Sequence, residues 1–330
     1  MIAGLGIFIV AGCATLWLFS RLAVLVLERR FAPIGSILAF PFGRVHVVDL
    51  PAARPDVPCL VLVHGAAGNL RDLFHALCGP LAGRFRIVLI DRPGHGFSTR
   101  REPAWSDPRR QAEALDGVLA RLGVDRAIVA GQSWGGAFAA AFALRYPGRV
   151  QGLVFVSPAS HPWPGGVDWH TRLGALPVAG RLFAELAAMP IGLALIPGAL
   201  RTIFGPNAVP PDYRARIGAA LVLRPRTFVA NCRDVAHFYG HATVMAALYD
   251  RIDVPAEIIT GEDDAIVAPA IHAYALARDI PGARLTVLPG IGHMPHWAAP
   301  HAVIAAIERV AARSAGVAAV GEAASGPAAG

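Results

Sequence analysis

The 330-residue chain contains no lysine, because all 30 of its Lys and Arg residues are arginines. This absence excludes the lysine of a phosphate-binding P-loop, a Schiff base to pyridoxal phosphate and any lysine nucleophile. Charged residues are also few, at 16% of the chain, whereas 55% of residues are hydrophobic and the mean hydropathy is +0.49. A chain of this composition is neither intrinsically disordered nor an ordinary water-soluble protein.

Cysteine is scarce, and its four residues are far apart without a CxxC pair. This spacing argues against a zinc site and against a disulfide-dense scaffold, so we expect buried free thiols at Cys13, Cys59, Cys78 and Cys232. The sequence has no cofactor-binding fingerprint and no metal-ligand motif, so we expect neither a cofactor nor a metal. The net charge of +7 comes from scattered arginines without interleaved aromatics, which argues against a nucleic-acid partner.

The first 20 residues carry no charged side chain, and a second apolar run follows Arg21. A helix of this length spans about 30 Å, the thickness of a bilayer's hydrocarbon core. Because no basic region precedes the apolar run, we expect residues 1–30 to form an uncleaved membrane anchor. The alternatives are processing at the lipoprotein-like box 10–13 and a buried or interfacial helix. Since Arg21, Arg29 and Arg30 follow the span, the positive-inside rule predicts that the main domain is cytoplasmic.

From Phe40 onward, short apolar runs that end in turn residues alternate with helical stretches. The runs predict buried strands at 45–50, 59–63, 86–90, 127–130, 153–156, 256–260 and 284–288. The intervening stretches predict helices at 69–81, 108–122, 134–146, 269–277 and 299–312. Buried strands that alternate with helices are typical of an α/β fold, with a mostly parallel sheet and helices on both faces.

The alternation breaks between residues 161 and 250, where proline-punctuated helical segments replace the strands. We therefore predict an α/β core at 40–160 and 251–313, with a helical cap inserted at 161–250. Residues 314–330 are nearly all Ala, Gly, Ser and Val, a composition that predicts a disordered tail.

A GxSxG motif, Gly131–Gly135, lies between a predicted strand and a predicted helix. A turn sharp enough to project a serine oxygen brings backbone segments close together, and only glycine fits on either side of it. The motif therefore predicts Ser133 as a nucleophile. A serine in a structural glycine-rich turn is the alternative.

A loop of small residues, 64–69, follows an earlier strand and has backbone N–H groups that can face the serine. We expect the N–H groups of Ala66 and Trp134 to form an oxyanion hole. His64 in this loop and His95 in the next are expected to organise the loops rather than to act in catalysis.

A nucleophilic serine needs a base, and the base needs a carboxylate that orients it. The segment GEDD, 261–264, follows one late strand, and GIGHMPH, 290–296, follows the next. Both segments are expected at the sheet edge that carries Ser133, because catalytic groups collect at the carboxyl ends of parallel strands. The chain order is thus Ser, Asp, His.

In these motifs, from about residue 44 to residue 312, the sequence resembles the α/β-hydrolase superfamily, in its capped serine hydrolase branch of esterases and lipases. The resemblance rests on LVHGAAGN, DRPGHG, GQSWGG and the GEDD and GIGHMPH pair, in that order. It implies an eight-stranded sheet, His293 as the base and Asp264 as the acid, with Asp263 as the fallback. His296 and His301 are then expected at the surface or facing the cap.

The serine separates this chain from haloalkane dehalogenases and epoxide hydrolases, which carry Asp at that position. The resemblance therefore implies cleavage of a carboxylic ester or related acyl bond through an acyl-enzyme. An apolar cap beside an anchor favours a lipophilic small-molecule ester that arrives from the membrane, unless the cap simply packs on its own core. Other possibilities are C–C bond hydrolysis with Arg224 or Arg233 holding an anionic substrate, perhydrolysis, and a non-catalytic ligand-binding protein.

Overall fold

The computed structural model describes residues 2–54, 57–101 and 103–324, and one eight-stranded sheet forms its centre. The strands are Ser36–Phe40 (β1), Gly43–Leu50 (β2), Cys59–Val63 (β3), Arg86–Ile90 (β4), Ala127–Gln132 (β5), Val150–Val156 (β6), Ala256–Gly261 (β7) and Arg284–Leu288 (β8). Their order across the sheet is β1-β2-β4-β3-β5-β6-β7-β8. The first two pairs in this order are antiparallel, and all later pairs are parallel. The predicted mostly parallel sheet is confirmed.

All seven predicted strands are present, and β1 is an additional strand that the sequence did not predict. β3 and β5 are buried at every residue, as their continuous apolar runs indicate. β1 lies at the edge of the sheet and is largely exposed, so it lacks the buried run on which the other predictions depended.

Helices cover both faces of the sheet, and each face has its own apolar core. In the first half of the core they are a segment at 71–81, whose middle turn Phe74–Cys78 is π-helical, then Pro108–Arg121 and Trp134–Arg145. In the second half they are Ala273–Asp279, Pro295–Ala298 and Pro300–Ala324. The predicted helices are therefore found, although the one expected at 269–277 begins four residues later.

The segment between β6 and β7 is helical throughout its secondary structure. Its α-helices are Trp169–Ala175, a continuous helical segment at 179–204, Tyr213–Ile217 and Pro225–Ala246. We call this insertion the cap. The last of these helices contributes Phe238, Ala242 and Met245 to the core of one sheet face.

The N-terminal helix spans Ile2–Arg30, and its residues 4–19 are exposed. Within the described residues, Gly4–Arg30 is by length and composition one of two helices apolar enough to cross a membrane, a test that signal sequences and core helices also pass. The other is Ala179–Phe204 in the cap.

The C-terminal helix extends beyond the predicted end of the core. It runs to Ala324, and the hydroxyl of Ser314 lies 2.7 Å from the carbonyl oxygen of Gln151. The predicted tail boundary at 314 is therefore too early, because an alanine-rich composition also suits a helix. Residues 325–330 of the predicted tail lie outside the described residues.

Candidate active site

Ser133 occupies the turn between β5 and the helix Trp134–Arg145. Its φ of 53° and ψ of −120° are unusual for a residue other than glycine and match a strained nucleophile elbow. The turn depends on its glycines: a Cβ on Gly131 would collide with the carbonyl oxygen of Gly135, and a Cβ on Gly135 with that of Val63. The chain thus has the strand, turn and helix geometry that the GxSxG spacing predicts.

The structure brings the predicted acid and base together at the same edge of the sheet. Asp264 follows β7 and His293 follows β8, and Asp264 Oδ2 lies 2.8 Å from His293 Nδ1. Asp264 Oδ1 accepts hydrogen bonds from the backbone N–H groups of Ile266 at 2.9 Å and Val267 at 2.8 Å. With Nδ1–H donating to Asp264, His293 Nε2 is the atom available to accept a proton.

The fallback acid, Asp263, is exposed, whereas Asp264 is buried. Of the two adjacent carboxylates, only Asp264 contacts His293 within the described part of the chain. The geometry therefore favours Asp264 as the acid, the residue that the resemblance implies.

Gln132, the residue before the serine, lies beside the proton-accepting atom of His293. Its Nε2 is 3.4 Å from His293 Nε2, and no hydrogen bond joins Ser133 Oγ to that histidine within the described residues. The other end of the amide lies against the loop after β3, because a Cβ on Gly65 would collide with Gln132 Oε1. Gln132 thus lies at the site, and the sequence reasoning missed it.

The two predicted oxyanion donors lie on segments next to the serine. A Cβ on Gly65 would come within 3.0 Å of the Ser133 Cβ, so the loop that carries Ala66 touches the elbow. The N–H of Ala67 donates to Asn231 Oδ1 at 2.6 Å, but those of Ala66 and Trp134 have no hydrogen-bond partner in the described chain. Two unpaired N–H groups beside a serine are the donors that an oxyanion requires.

The family model of the alpha/beta hydrolase fold matches residues 58–300, which is most of the chain and includes every residue of the site above. The chain belongs to the α/β-hydrolase family. Its relatives include a 2-hydroxy-6-oxononadienedioate/2-hydroxy-6-oxononatrienedioate hydrolase of Paraburkholderia phymatum, 28% identical over 77% of this chain and 86% of the relative.

A second relative is a pimeloyl-[acyl-carrier protein] methyl ester esterase of Neisseria meningitidis, 29% identical over 74% of this chain and 89% of the relative. Among solved structures, a hydrolase from Pseudomonas aeruginosa has a TM-score of 0.68 and 24% identity, covering 84% of this chain and 98% of its own. The structural likeness supports the fold, and the relatives include both an ester-cleaving and a C–C-cleaving type of hydrolase.

A fully buried arginine, Arg92, supports the loop that carries Ala66 in this hydrolase. Arg92 donates from Nε to the carbonyl of His64 and from Nη2 to that of Gly65, both at 3.1 Å, and its guanidinium lies 4.0 Å from the Trp134 ring centroid. His64 Nδ1 lies 2.8 Å from the Gly65 carbonyl oxygen. Burial lowers the pKa of His64 to about 4, so it is neutral at pH 7 and organises the loop, as predicted.

The charge of Arg92 is compensated by a carboxylate from the cap. Asp234 Oδ2 accepts from Arg92 Nη1 at 2.7 Å, and Asp234 Oδ1 accepts from Arg100 Nη1. Burial lowers the pKa of Arg92 to about 10, and Asp234 opposes that shift. Burial also lowers the pKa of His95, whose Nε2 lies 3.2 Å from Arg92 Nη2, so His95 belongs to this structural cluster.

Asp234→Ala is expected to lower the free energy of unfolding by about 3–5 kcal/mol, because it leaves buried arginines without their counter-ion. The matched control is Glu113→Ala, which breaks an exposed pair with Arg145 and should cost at most about 1 kcal/mol. Urea denaturation followed by tryptophan fluorescence, with all proteins in the same detergent, measures the change in the free energy of unfolding for both variants. Equal costs for the two variants would contradict a compensated buried charge.

The cap also holds the loop that carries His293. Asn207 Nδ2 donates to the carbonyl of Gly290 and Asn207 Oδ1 accepts from the N–H of Gly292, both at 2.9 Å. These bonds fix the backbone immediately before His293. Nothing in the local sequence signals this role, because the two partners are more than 80 residues apart.

The structure corrects one prediction about the remaining histidines. His296 is not at the surface: it is fully buried, with Nε2 3.3 Å from Asp72 Oδ2, because the carboxylate offers a polar partner inside the protein. His301 is exposed, as predicted.

The two arginines considered for an anionic substrate are engaged in the structure. Arg224 pairs with Glu28 at 2.9 Å and donates to the carbonyl of Gly96. Arg233 Nε lies 3.4 Å from the carbonyl of Ala175.

The cysteines follow the prediction with one exception. Cys59, Cys78 and Cys232 are buried, and burial raises the pKa of each thiol to about 12. Cys13 is exposed, because it lies on the N-terminal helix rather than in the core. In the described residues, no three or more His, Cys, Asp or Glu side chains cluster as a metal site would require.

Proposed function

We propose that the protein is a serine hydrolase that cleaves carboxylic esters of a lipophilic small substrate, with Ser133 as nucleophile, His293 as base and Asp264 as orienting acid. The observation that carries the proposal is the 2.8 Å contact between Asp264 and His293 at the sheet edge where the strained turn presents Ser133. This combination supplies the three groups of a nucleophilic triad in the order typical of the family.

In the first half-reaction, Ser133 Oγ attacks the ester carbonyl carbon and His293 Nε2 takes the hydroxyl proton. The N–H groups of Ala66 and Trp134 stabilise the negative oxygen of the tetrahedral intermediate. His293 then gives its proton to the leaving alcohol as the ester C–O bond breaks, which leaves an acyl-enzyme. Asp264 stabilises the imidazolium throughout.

In the second half-reaction, water attacks the acyl carbon and His293 takes its proton. The second tetrahedral intermediate collapses, the bond to Ser133 Oγ breaks, and the proton returns to Oγ as the carboxylic acid leaves. Gln132 must release His293 for both proton transfers, because its amide lies 3.4 Å from the accepting nitrogen.

Apolar surroundings support a lipophilic substrate. Trp163 in the cap packs on Phe238, and Phe238 packs on Trp134 beside the nucleophile, with centroids 5.9 and 6.0 Å apart. The exposed N-terminal helix supports a membrane anchor that concentrates such a substrate. The cytoplasmic placement of the domain stays a prediction.

Hydrolysis of p-nitrophenyl esters of graded acyl length tests the proposal. We expect kcat/KM to rise with acyl length from acetate to medium chains, since each buried methylene adds about 0.8 kcal/mol of binding. A preference for acetate would contradict the lipophilic substrate alone. A folded protein that hydrolyses none of the series would contradict ester cleavage.

C–C bond hydrolysis is the second candidate, and the relative from Paraburkholderia phymatum favours it. That reaction needs a cation for an anionic substrate, whereas Arg224 is already paired with Glu28. Turnover of a dienone acid faster than any ester in the series would favour this candidate over ester cleavage.

A further inference from the structure

The cap segment 179–204 exposes large apolar side chains. Leu182, Ile191 and Leu195 are 60%, 45% and 63% exposed, and Val178, just before the segment, is 80% exposed. Val178 and Leu182 are four residues apart, as are Ile191 and Leu195, and a step of four residues keeps a side chain on the same side of a helix. The π-helical turn Ala184–Ala188 separates the two pairs. We call these four exposed side chains the cap stripe.

Other residues of this segment pack against the last third of the N-terminal helix. Met189 and Ile196 of the cap cluster with Ala23, Val24 and Leu27 of that helix. Ion pairs flank the contact: Arg21 with Glu185 and Glu28 with Arg224, each at 2.9 Å. The last third of the N-terminal helix is thus fixed to the cap.

The free part of the N-terminal helix begins where this contact ends. Ser20 is fully buried, whereas residues 4–19 are all exposed and carry no charged side chain. These residues extend about 24 Å as a helix, close to the depth of a bilayer's hydrocarbon core. If they are inserted, the cap stands at the membrane surface, because the helix leaves the lipid at the residue that first touches the cap.

We propose that the cap stripe lies in the bilayer interface, so that the hydrolase binds the membrane through its cap as well as through its anchor. The occupant of the stripe is phospholipid, because the stripe flanks a helix that is long and apolar enough to enter a bilayer. The exposed basic side chains of Arg181 and Arg201 on the same segment suit anionic headgroups. Trp169, 67% exposed, is an aromatic of the type enriched at this depth.

This proposal rests on the proposed function and specifies where the substrate comes from. The cap segment ends at Phe204, and three residues later Asn207 bonds the loop of His293. The element that touches lipid is therefore directly joined to the catalytic loop. A lipophilic ester would pass from the bilayer to the cap and then to Ser133.

Single labels on the full chain test the placement. Cys13→Ser removes the exposed thiol, and the three remaining cysteines are buried. Leu182→Cys or Leu195→Cys is then labelled with the fluorophore NBD, and the protein is reconstituted in phosphatidylcholine vesicles. Ala120→Cys, an exposed position in the last turn of the helix Pro108–Arg121, is the matched control, and Trp17→Cys reports the anchor.

We expect blue-shifted emission and quenching by nitroxide-labelled lipid at positions 182, 195 and 17, and neither effect at position 120. Quenching at 17 with none at 182 and 195 would overturn the proposal and leave the anchor intact. If none of the positions 182, 195 and 17 is quenched, the membrane anchor is overturned as well. A blue shift at 182 that nitroxide lipid does not quench would indicate a second copy of the chain on the stripe, and would equally overturn the proposal.

The double variant Leu182→Asp with Leu195→Asp tests the consequence for turnover. Hydrolysis of a long-chain ester embedded in vesicles is expected to fall, while hydrolysis of a soluble short-chain ester stays at the wild-type level. Ala120→Asp should change neither. Equal rates on the embedded ester for wild type and double variant would overturn the role of the stripe in substrate supply.

Discussion

Ser133→Ala is expected to reduce kcat for ester hydrolysis by roughly 10⁵- to 10⁶-fold, because no acyl-enzyme can form without the hydroxyl. Substrate binding should change little, since the methyl group keeps the shape of the turn. The residual rate should no longer show the pH dependence that a single titrating imidazole gives. Steady-state kinetics on the best p-nitrophenyl ester, with enzyme freed of wild-type contamination, measures the loss.

The matched control is Ser157→Ala. Ser157 follows β6, has a positive φ of 43° like Ser133, and its buried hydroxyl makes no hydrogen bond within the described part of the chain. This variant should retain near-wild-type activity. A comparable loss in both variants would mean that serine at a strained strand end serves the fold rather than the chemistry.

Asp264→Asn is expected to lower kcat by about 10⁴-fold while the protein stays folded. The amide keeps the shape of the side chain but cannot stabilise an imidazolium, and it presents an NH₂ group where His293 Nδ1–H needs an acceptor. His293 would then carry its proton on Nε2, which could no longer accept the proton of Ser133. The loss should appear in kcat more than in KM, because the imidazolium forms only during the reaction.

Asp263→Asn is the control for this variant, since it makes the same chemical change one residue earlier on an exposed side chain. We expect its kcat to be within a factor of about two of wild type, as for other surface substitutions. The reverse result, with a large loss at 263 and a small one at 264, would transfer the acid role to Asp263.

The central features of this site follow from local sequence. Continuous apolar runs mark β3 and β5 because both faces of these strands are covered, and the glycines around Ser133 are needed wherever a strand turns sharply into a helix. Parallel strands end at one edge, so Asp264 and His293 meet although 29 residues separate them.

Contacts between the cap and the core could not be predicted in this way. Asp234 is the counter-ion of Arg92, and Asn207 holds the loop before His293, but each pair joins elements far apart in the chain. Such contacts depend on how the inserted helices dock, and no periodicity encodes docking. The same reason explains why the sequence missed the burial of His296 against Asp72.

The contact of Gln132 with His293 could not be predicted from the sequence either. Gln132 occupies a variable position of the GxSxG motif, so only the structure reveals that its amide lies beside His293 Nε2.

Covalent labelling by a fluorophosphonate tests the account most directly. This reagent is attacked by an activated serine, loses fluoride and leaves a stable phosphonyl adduct on Oγ. We expect one adduct per folded chain, found by mass spectrometry on the peptide that contains Ser133 and absent from Ser133→Ala. A folded wild-type protein that stays unlabelled, or one labelled on another residue, would contradict it.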